Sequence, residues 1–267
     1  MKNYLNKINA KFFVRSILKK DTIKFNNLNL NSYNGRNISY TFINKKTEQK
    51  CLIKVYLRQN NNLKKEIDFI EELKKNDLIN FSILSTDRKS YFIRDYSSGT
   101  DLLSIIKKNS DNEYLIKSLI KYVNLILNIT KKLNIVYHLD LRLKNFILFN
   151  NNINFVDTDV NHQNHTFFYE NNQGEENFTQ YKIHTFAKFL VKSLEDLNYE
   201  KSISFFILCK KYIENITSVK EIILLRFFQS FESNSLNYFV YKNYEIFKDI
   251  DSSFHDKITI QQKLTES

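Results

Sequence analysis

The chain has 267 residues, 42% hydrophobic and 26% charged, which is the composition of a globular protein large enough for one large domain or two modest lobes. Its net charge of +11 either favours anionic partners, such as nucleic acid, anionic membranes or phosphorylated substrates, or reflects the abundance of Lys in the products of AT-rich genomes. The sequence has no zinc-finger pattern, RNA-recognition pattern or Arg-rich arm, so no nucleic-acid partner is expected. Cys51 and Cys209 form no CxxC pair, which indicates a reducing compartment rather than a disulfide framework.

Biased residue usage weakens the normal turn signals. The chain has no Pro and only three Gly, whereas Asn, Lys, Ile, Phe and Tyr are abundant, as in the products of AT-rich genomes. We therefore expect Asn to occupy turns where Gly or Pro usually stands. The N-terminal apolar stretch is interrupted by Arg15 and does not resemble a signal peptide, and no later apolar run is long enough to span a bilayer. A cytoplasmic protein is expected.

The first third of the chain is predicted to be mostly β. Strand-like runs lie at 38–43, 51–57, 81–87 and 90–96. One helix is predicted between the two pairs of strands, because Leu63, Ile70 and Leu73 share a helix face with Glu66.

The remainder is predicted to be mostly helical. One apolar stripe with helical spacing runs from Leu115 to Leu133, and another from Ile183 to Leu197. A hairpin is predicted between them at "FILFNNNINFV". The chain through about residue 248 is also expected to be helical, whereas the polar tail after Asp251 is expected to fray.

These elements predict an α+β fold with two parts. Residues 1–95 form a small β-rich part with one helix, and residues 96–267 form a larger helical part. The join lies near "DYSSGTDL" (95–102), where Gly99 provides a flexible corner.

Two short stretches carry the chemically informative residues. "HLDLRLKN" spans His138 to Asn145, and "FVDTD" places Asp157 at the end of a short strand. The carboxylate and amide oxygens of Asp157 and Asn145 are hard ligands that suit Mg²⁺.

The first stretch resembles the catalytic loop of protein-kinase-like phosphotransferases, H-x-D-L-[KR]-x-x-N, and Asp157 stands where that family has its metal-binding aspartate. "CLIKVYL" resembles the strand that carries the nucleotide-binding lysine, here Lys54. "KKEIDFIEELKK" resembles the following helix, whose glutamate pairs with that lysine. Glu66 is preferred over Glu71 and Glu72 for this role because it shares the apolar face of the helix.

The resemblance implies a bilobal protein-kinase-like fold that uses ATP and Mg²⁺ for phosphoryl transfer. The catalytic residues implied are Asp140, Arg142 and Asn145. The metal ligands implied are Asn145 and Asp157. The cofactor-binding residues implied are Lys54, Glu66, Asp95 and Gly35. His138 is expected to brace the loop rather than act as a general base, and Arg142 is either a contact to the transferred phosphate or a plain surface cation.

The chain departs from the family pattern in its phosphate-covering loop and its metal triplet. "NSYNGRNISY" contains only Gly35, so phosphate contacts there are either looser or made by Asn34 and Arg36. The usual Asp-Phe-Gly is replaced by Asp157-Thr158-Asp159, and Asp159 is either a second metal contact or a turn residue.

Further departures affect the acceptor side. Lys182, near the start of a helix expected from about Tyr181, replaces the aspartate that normally anchors the catalytic loop, and no Ala-Pro-Glu segment is present. His162 and His165 have metal-like spacing in a polar stretch, where such spacing is more often incidental.

These losses favour small-molecule or sugar kinases over kinases of extended peptides. The chain is most similar to the bacterial lipopolysaccharide core heptose kinases, which implies a sugar or glycolipid acceptor and peripheral contact with the anionic inner face of the membrane. Two alternatives are a choline- or aminoglycoside-type kinase and an inactive pseudokinase that serves as an interaction module. Short acidic pieces such as "GEEN" at 174–177 are too small to predict the acidic pocket that a cationic substrate requires.

Overall fold

A computed structural model describes residues 2–33, 37–57, 62–133, 139–158, 175–197 and 203–214. These residues form a mixed α+β protein with six α-helices, so the predicted fold class is confirmed at that level. The chain divides into two compact units after Gly99, where the φ angle of +144° lies in the region that favours glycine. The first unit contains Met1–Gly99 and Thr158, and the second contains Thr100–Asp157 and the described helices that follow.

The first unit is built on a five-stranded antiparallel sheet with the strand order β1-β2-β3-β5-β4. Its elements are α1 (Lys2–Lys20), β1 (Phe25–Tyr33), β2 (Asn37–Asn44), β3 (Lys50–Tyr56), α2 (Asn62–Lys75), β4 (Ile83–Thr86) and β5 (Tyr91–Asp95). The four strands and the helix predicted for this region are confirmed as β2 to β5 and α2.

Two elements of this unit, α1 and β1, were not predicted. In α1 the buried residues have helical spacing, at Ala10, Val14, Ile17 and Leu18, but exposed Phe12 and Phe13 interrupt the apolar pattern. In β1 the sequence FNNLNLNSY is rich in Asn, a weak strand former, so pairing with β2 rather than intrinsic propensity accounts for the strand.

One face of this sheet packs against α1. Cys51, Ile53 and Val55 of β3 join Val14 and Ile17 of α1 in a buried apolar cluster. Because successive side chains of a strand point to opposite faces, Lys54 lies on the other face of the sheet. Burial, reinforced by the nearby charge of Asp95, raises the pKa of the Cys51 thiol to about 11.

The second unit is mainly helical. Its elements are β6 (Thr100–Asp101), α3 (Leu102–Lys108), α4 (Glu113–Lys132), a 3₁₀ turn (Leu143–Asn145), β7 (Phe146–Phe149), β8 (Asn152–Phe155), α5 (Glu175–Leu197) and α6 (Ile203–Glu214). Helices α4 and α5 and the β7–β8 hairpin confirm the predicted stripes and hairpin. Helix α5 begins at Glu175, so the expectation of a helix start near Tyr181 was wrong. Of the helical region predicted to residue 248, α6 is described, and the rest lies outside the described residues together with the tail after Asp251.

Asparagine takes the place of glycine in tight turns, as the composition predicted. Asn150 and Asn151 join β7 to β8 with φ angles of 49° and 64°, the pair of positive values that a two-residue hairpin turn requires. Asn27 adopts a φ of 53° at a register shift between β1 and β2.

An aromatic cluster fixes the hairpin that carries Asp157. The ring of Phe146 packs against those of Tyr122, Phe155 and Phe189, with centroids 6.0, 5.2 and 6.4 Å away. The Phe155 backbone N–H donates to the Tyr122 hydroxyl at 2.9 Å, and burial raises the pKa of that phenol. This hydrogen bond links the end of β8 to α4. Across the described part of the chain, no helix has the length and apolar character needed to cross a bilayer.

Candidate active site

Lys54 and Glu66 form a buried ion pair in the first unit. The Lys54 Nζ donates to both carboxylate oxygens of Glu66 at 3.0 Å, and the side chains are 11% and 1% exposed. Glu66 reaches this position because α2 turns its Leu63, Ile67 and Ile70 face inward. Lys54 comes from the centre of the sheet, on β3.

The preference for Glu66 as the partner of Lys54 is confirmed. Glu71 instead accepts from Arg88 at 2.9 Å on the protein surface. Glu72 lies 3.7 Å from Lys75 and accepts from the Asn76 side chain. The apolar face of α2 therefore identified the correct carboxylate of the three. Whether the pair binds a nucleotide stays a prediction.

Two hydroxyls that sequence reasoning missed also form hydrogen bonds with Glu66. The Tyr56 hydroxyl donates to Glu66 Oε2, and the Thr158 hydroxyl donates to Glu66 Oε1 at 2.9 Å. Tyr56 lies two positions after Lys54 on the same strand, so the period of two in a strand was the signal for it. Thr158 is 92 residues distant in sequence from Glu66, and no local pattern predicts that contact. Glu66 therefore accepts hydrogen bonds from an ammonium group and two hydroxyls, which satisfies a carboxylate that is out of water.

A row of polar side chains continues from Lys54 across the sheet, buried at Ser39 and exposed at Asn31 and Ser32. Ser39 of β2 is the cross-strand partner of Lys54 and is 3% exposed. Its hydroxyl lies 2.7 Å from that of Ser32 and accepts from the Asn31 amide at 3.1 Å. Side chains directly opposite each other in an antiparallel pair lie on the same face, so these hydroxyls and the Lys54 charge share one surface of the sheet.

The second unit contains the loop Leu139–Asn145 and the strand end at Asp157. Leu139, Leu141 and Leu143 are buried, and they alternate with Asp140 and Arg142, which remain partly exposed. This alternation fixes the loop by its leucines while the charged side chains face solvent.

Asn145 joins the loop to the strand end. Its Nδ2 donates to the Asp140 backbone carbonyl at 2.8 Å and lies 3.4 Å from the Asp157 carboxylate. The backbone carbonyl of Asn145 accepts a hydrogen bond from the Val156 backbone N–H at 2.9 Å. The predicted metal ligands, Asn145 and Asp157, are thus brought together although they are 12 residues apart.

Asp140 and Arg142 form a more open pair. Arg142 Nε lies 3.2 Å from Asp140 Oδ1, and the side chains are 33% and 41% exposed. The Nε–H is itself shielded from solvent and makes no hydrogen bond to any of the described residues, so the attraction between the two groups is coulombic. A carboxylate in this setting remains accessible to a substrate.

Asn145 and Asp157 each carry a side-chain oxygen of the chemical kind that binds Mg²⁺. Because a backbone carbonyl only accepts, the bond to Asp140 identifies the nitrogen end of the Asn145 amide, and its Oδ1 is the atom able to bind a cation. A carboxylate oxygen and an amide oxygen are ligands of the kind that Mg²⁺ selects, with its remaining positions usually filled by water and phosphate. In the described part of the chain no three His, Cys, Asp or Glu side chains converge as a set of metal ligands.

Lys188 is a further residue near Asp140 that sequence reasoning missed. Burial and the charge of Lys192 lower the pKa of the Lys188 ammonium, whereas the charge of Asp140 opposes that change and that of Arg142 adds to it. Lys182, expected at the anchoring position, is influenced instead by burial and by Lys131, which lower its pKa. Lys188 lies between the apolar residues of the stripe that predicted α5. That apolar pattern did not indicate a nearby carboxylate.

The remaining predicted residues are not brought to these clusters. Asp95 is the cross-strand partner of Cys51, so it lies on the α1 face of the sheet, opposite to Lys54. Gly35 lies outside the described residues, and so do Asn34, Arg36, His138, Asp159, His162 and His165.

Comparison with known proteins identifies no family for the chain. No protein-family model matches it, and a search of the curated proteins finds no significant match.

Proposed function

We propose that the chain is an ATP-dependent, Mg²⁺-requiring kinase that phosphorylates a hydroxyl group. We also propose that its two units are the two lobes of a protein-kinase-like fold. The order of elements supports this: an antiparallel sheet with α2 between β3 and β4 is followed by a helical unit that contains the β7–β8 hairpin. Cytoplasmic location is part of the same proposal, since kinases of this type use the ATP of that compartment.

The observation that carries the proposal is the meeting of Asn145 with Asp140 and Asp157. One amide nitrogen bonds the Asp140 carbonyl at 2.8 Å and lies 3.4 Å from the Asp157 carboxylate. Phosphoryl transfer requires oxygen ligands for a metal ion and a carboxylate that the substrate can reach. Asn145 and Asp157 supply the oxygen ligands, and Asp140 supplies the carboxylate. The buried Lys54–Glu66 pair gives independent support, because a cation held in this way is suited to bind phosphate oxygens.

Each residue has a distinct role in the proposed reaction. Asp140 orients the acceptor hydroxyl and takes its proton as the oxygen bonds to the γ-phosphorus and the bond to ADP breaks. Asn145 and Asp157 hold Mg²⁺, which when bound neutralises phosphate charge and aligns the phosphoryl group. Lys54 binds the α- and β-phosphates, and Glu66 holds Lys54 in place. Arg142 is positioned beside Asp140 to bind the transferred phosphoryl group.

The acceptor we propose is a sugar hydroxyl of a lipopolysaccharide core or a related glycan. Two features of the sequence support it: a peptide-binding Ala-Pro-Glu segment is missing, and the net charge of +11 suits an anionic glycolipid. Assays with labelled ATP and glycolipid fractions, alongside choline and aminoglycosides, separate this acceptor class from soluble ones. Transfer to a soluble amine-bearing acceptor alone would replace the glycan proposal and leave the kinase proposal intact.

The nucleotide proposal is tested by thermal unfolding with and without Mg-ATP. A ligand at one hundred times its dissociation constant stabilises the folded state by about 2.7 kcal/mol. The natural protein and the Asp140→Ala variant should show this stabilisation, whereas Asp157→Ala should lose the part that depends on Mg²⁺. If none of the three responds to Mg-ATP, the chain is not a kinase, and an interaction module of the same fold becomes the better description. If both variants lost the stabilisation by Mg-ATP to the same extent, the separate roles given to Asp140 and Asp157 would be contradicted.

A further inference from the structure

Helix α1 is strongly basic. Between Lys2 and Lys20 it contains six basic residues, at positions 2, 7, 11, 15, 19 and 20, and no acidic residue. Asp21, the first acidic residue after the helix, has its carboxylate engaged by the Ser85 and Tyr91 hydroxyls at 2.6 and 3.0 Å. The positive charge of α1 is therefore not balanced by carboxylates of its own segment.

The outward face of α1 combines this charge with aromatic surface. Phe12, Arg15, Ser16 and Lys19 have the i, i+3, i+4, i+7 spacing of one helix face, and all four are exposed. Phe12 is 65% exposed and the neighbouring Phe13 is 46% exposed. The opposite face is already occupied by the sheet, so this outward face is what α1 presents to a partner.

From this arrangement we propose that the outward face of α1 docks the protein on an anionic lipid bilayer. Cations attract the negative surface, and Phe12 enters the headgroup region, where amphipathic interfacial helices place their aromatic side chains. The helix is about 29 Å long at 1.5 Å per residue, so it offers an extended contact parallel to the bilayer plane. A bilayer is favoured over nucleic acid because large exposed aromatic rings on a cationic helix gain by entering an apolar region, whereas phosphodiester contacts need only the cations.

This inference does not depend on phosphoryl transfer, because docking is measured without nucleotide or acceptor. The experiment is co-sedimentation of the full chain with vesicles of phosphatidylcholine alone and with vesicles containing one quarter phosphatidylglycerol. We expect binding to the anionic vesicles only, and loss of that binding as salt shortens the Debye length.

Two variants and a matched control locate the surface. The Lys11→Gln/Arg15→Gln variant should lower partitioning about 25-fold, since each cation near an anionic surface contributes about fivefold. The Lys107→Gln/Lys108→Gln variant removes the same charge from two exposed lysines of α3 and should bind as the natural protein does. Phe12→Ser should weaken binding by a similar factor at each salt concentration where binding is measurable, because it removes the apolar part of the contact, which salt does not screen. Unfolding midpoints of all the variants establish that the fold is retained.

Three outcomes would overturn the proposal. The first is equal binding to neutral and anionic vesicles, and the second is equal loss in the α1 and α3 variants, which would mean that net charge rather than this face is responsible. The third is binding of duplex DNA that depends on Lys11 and Arg15 without any vesicle binding, which would assign the surface to nucleic acid.

Discussion

The two polar clusters of this protein are held in different ways. In the first unit, Lys54 and Glu66 are 11% and 1% exposed, and Glu66 receives further bonds from Tyr56 and Thr158. In the second unit, the side chains of Arg142 and Asp140 are 33% and 41% exposed. They form an ion pair, but the Arg142 Nε–H makes no hydrogen bond to any described residue.

This difference in exposure predicts how strongly each cluster is coupled to the stability of the fold. A buried charge that loses its partner has no water to replace it, so the Lys54–Glu66 cluster resists change. A partly exposed carboxylate remains hydrated and exchanges its partner for a substrate at small cost. We expect substitutions in the first cluster to lower the free energy of unfolding as well as nucleotide binding, and those in the second to lower turnover while the fold is retained.

The largest expected effect is from Glu66→Gln, which removes the carboxylate charge that pairs with the buried Lys54 ammonium. We expect a loss of about 3–5 kcal/mol in the free energy of unfolding, measured by denaturant titration. Glu71→Gln is the matched control, since it makes the same change on the same helix in a surface pair with Arg88 and should cost about 0–1 kcal/mol. A Lys54→Met/Glu66→Leu double variant should recover much of the loss. Similar costs for Glu66 and Glu71 would contradict the distinction between buried and exposed pairs.

The Asp140→Asn variant tests the second cluster. We expect phosphoryl transfer to fall about 10²- to 10⁴-fold, because the variant removes the group that takes the acceptor proton. The free energy of unfolding should change by no more than about 1 kcal/mol, since the pair with Arg142 is solvent-exposed. Asp111→Asn, at an exposed position of the same unit, controls for a general effect of charge. A loss of stability as large as that of Glu66→Gln would show that the two clusters do not differ as proposed.

Thr158→Val measures how much the added hydroxyls contribute to the first cluster. Valine keeps the shape of threonine and removes the donor to Glu66, so we expect a loss of about 1.5–3 kcal/mol, the usual range for a hydrogen bond to a charged group. Thr158→Ser retains the hydroxyl and should lose less. In a double-mutant cycle with Glu66→Gln the two losses should be non-additive. Additive losses would mean that the bond contributes little.

The smallest expected effect concerns Cys51, on the other face of the strand that carries Lys54. The pKa of this thiol is about 11 in the folded protein, above the ordinary value of 9.0. Because the unfolded chain therefore ionises first, the free energy of unfolding is unaffected by this thiol below pH 9 and falls between pH 9 and pH 11. The two values predict a loss of about 1 kcal/mol by pH 10. Cys51→Ala should show a smaller decline over this interval in urea unfolding curves, and an identical decline in both proteins would count against the burial of this thiol.

Much of the fold and part of the site followed from local pattern. Alternation of apolar residues predicted β2 to β5, and helical spacing predicted α2, α4 and α5, because burial of one face imposes these periods on a sequence. The same face argument selected Glu66 over Glu71 and Glu72, which the ion pair with Lys54 confirms. The expectation that Asn replaces Gly in turns was met at Asn150 and Asn151.

Other features depended on contacts between distant parts of the chain. Helix α1 and strand β1 exist because the sheet supplies the partner that their own sequences do not specify, and α5 extends back to Glu175 beyond the apolar stripe that predicted it. The bond from Thr158 to Glu66 joins residues 92 positions apart, and the separation of Asp95 from Lys54 follows from strand register. Periodicity records which face of an element is buried, whereas only the packed structure determines what each buried face meets.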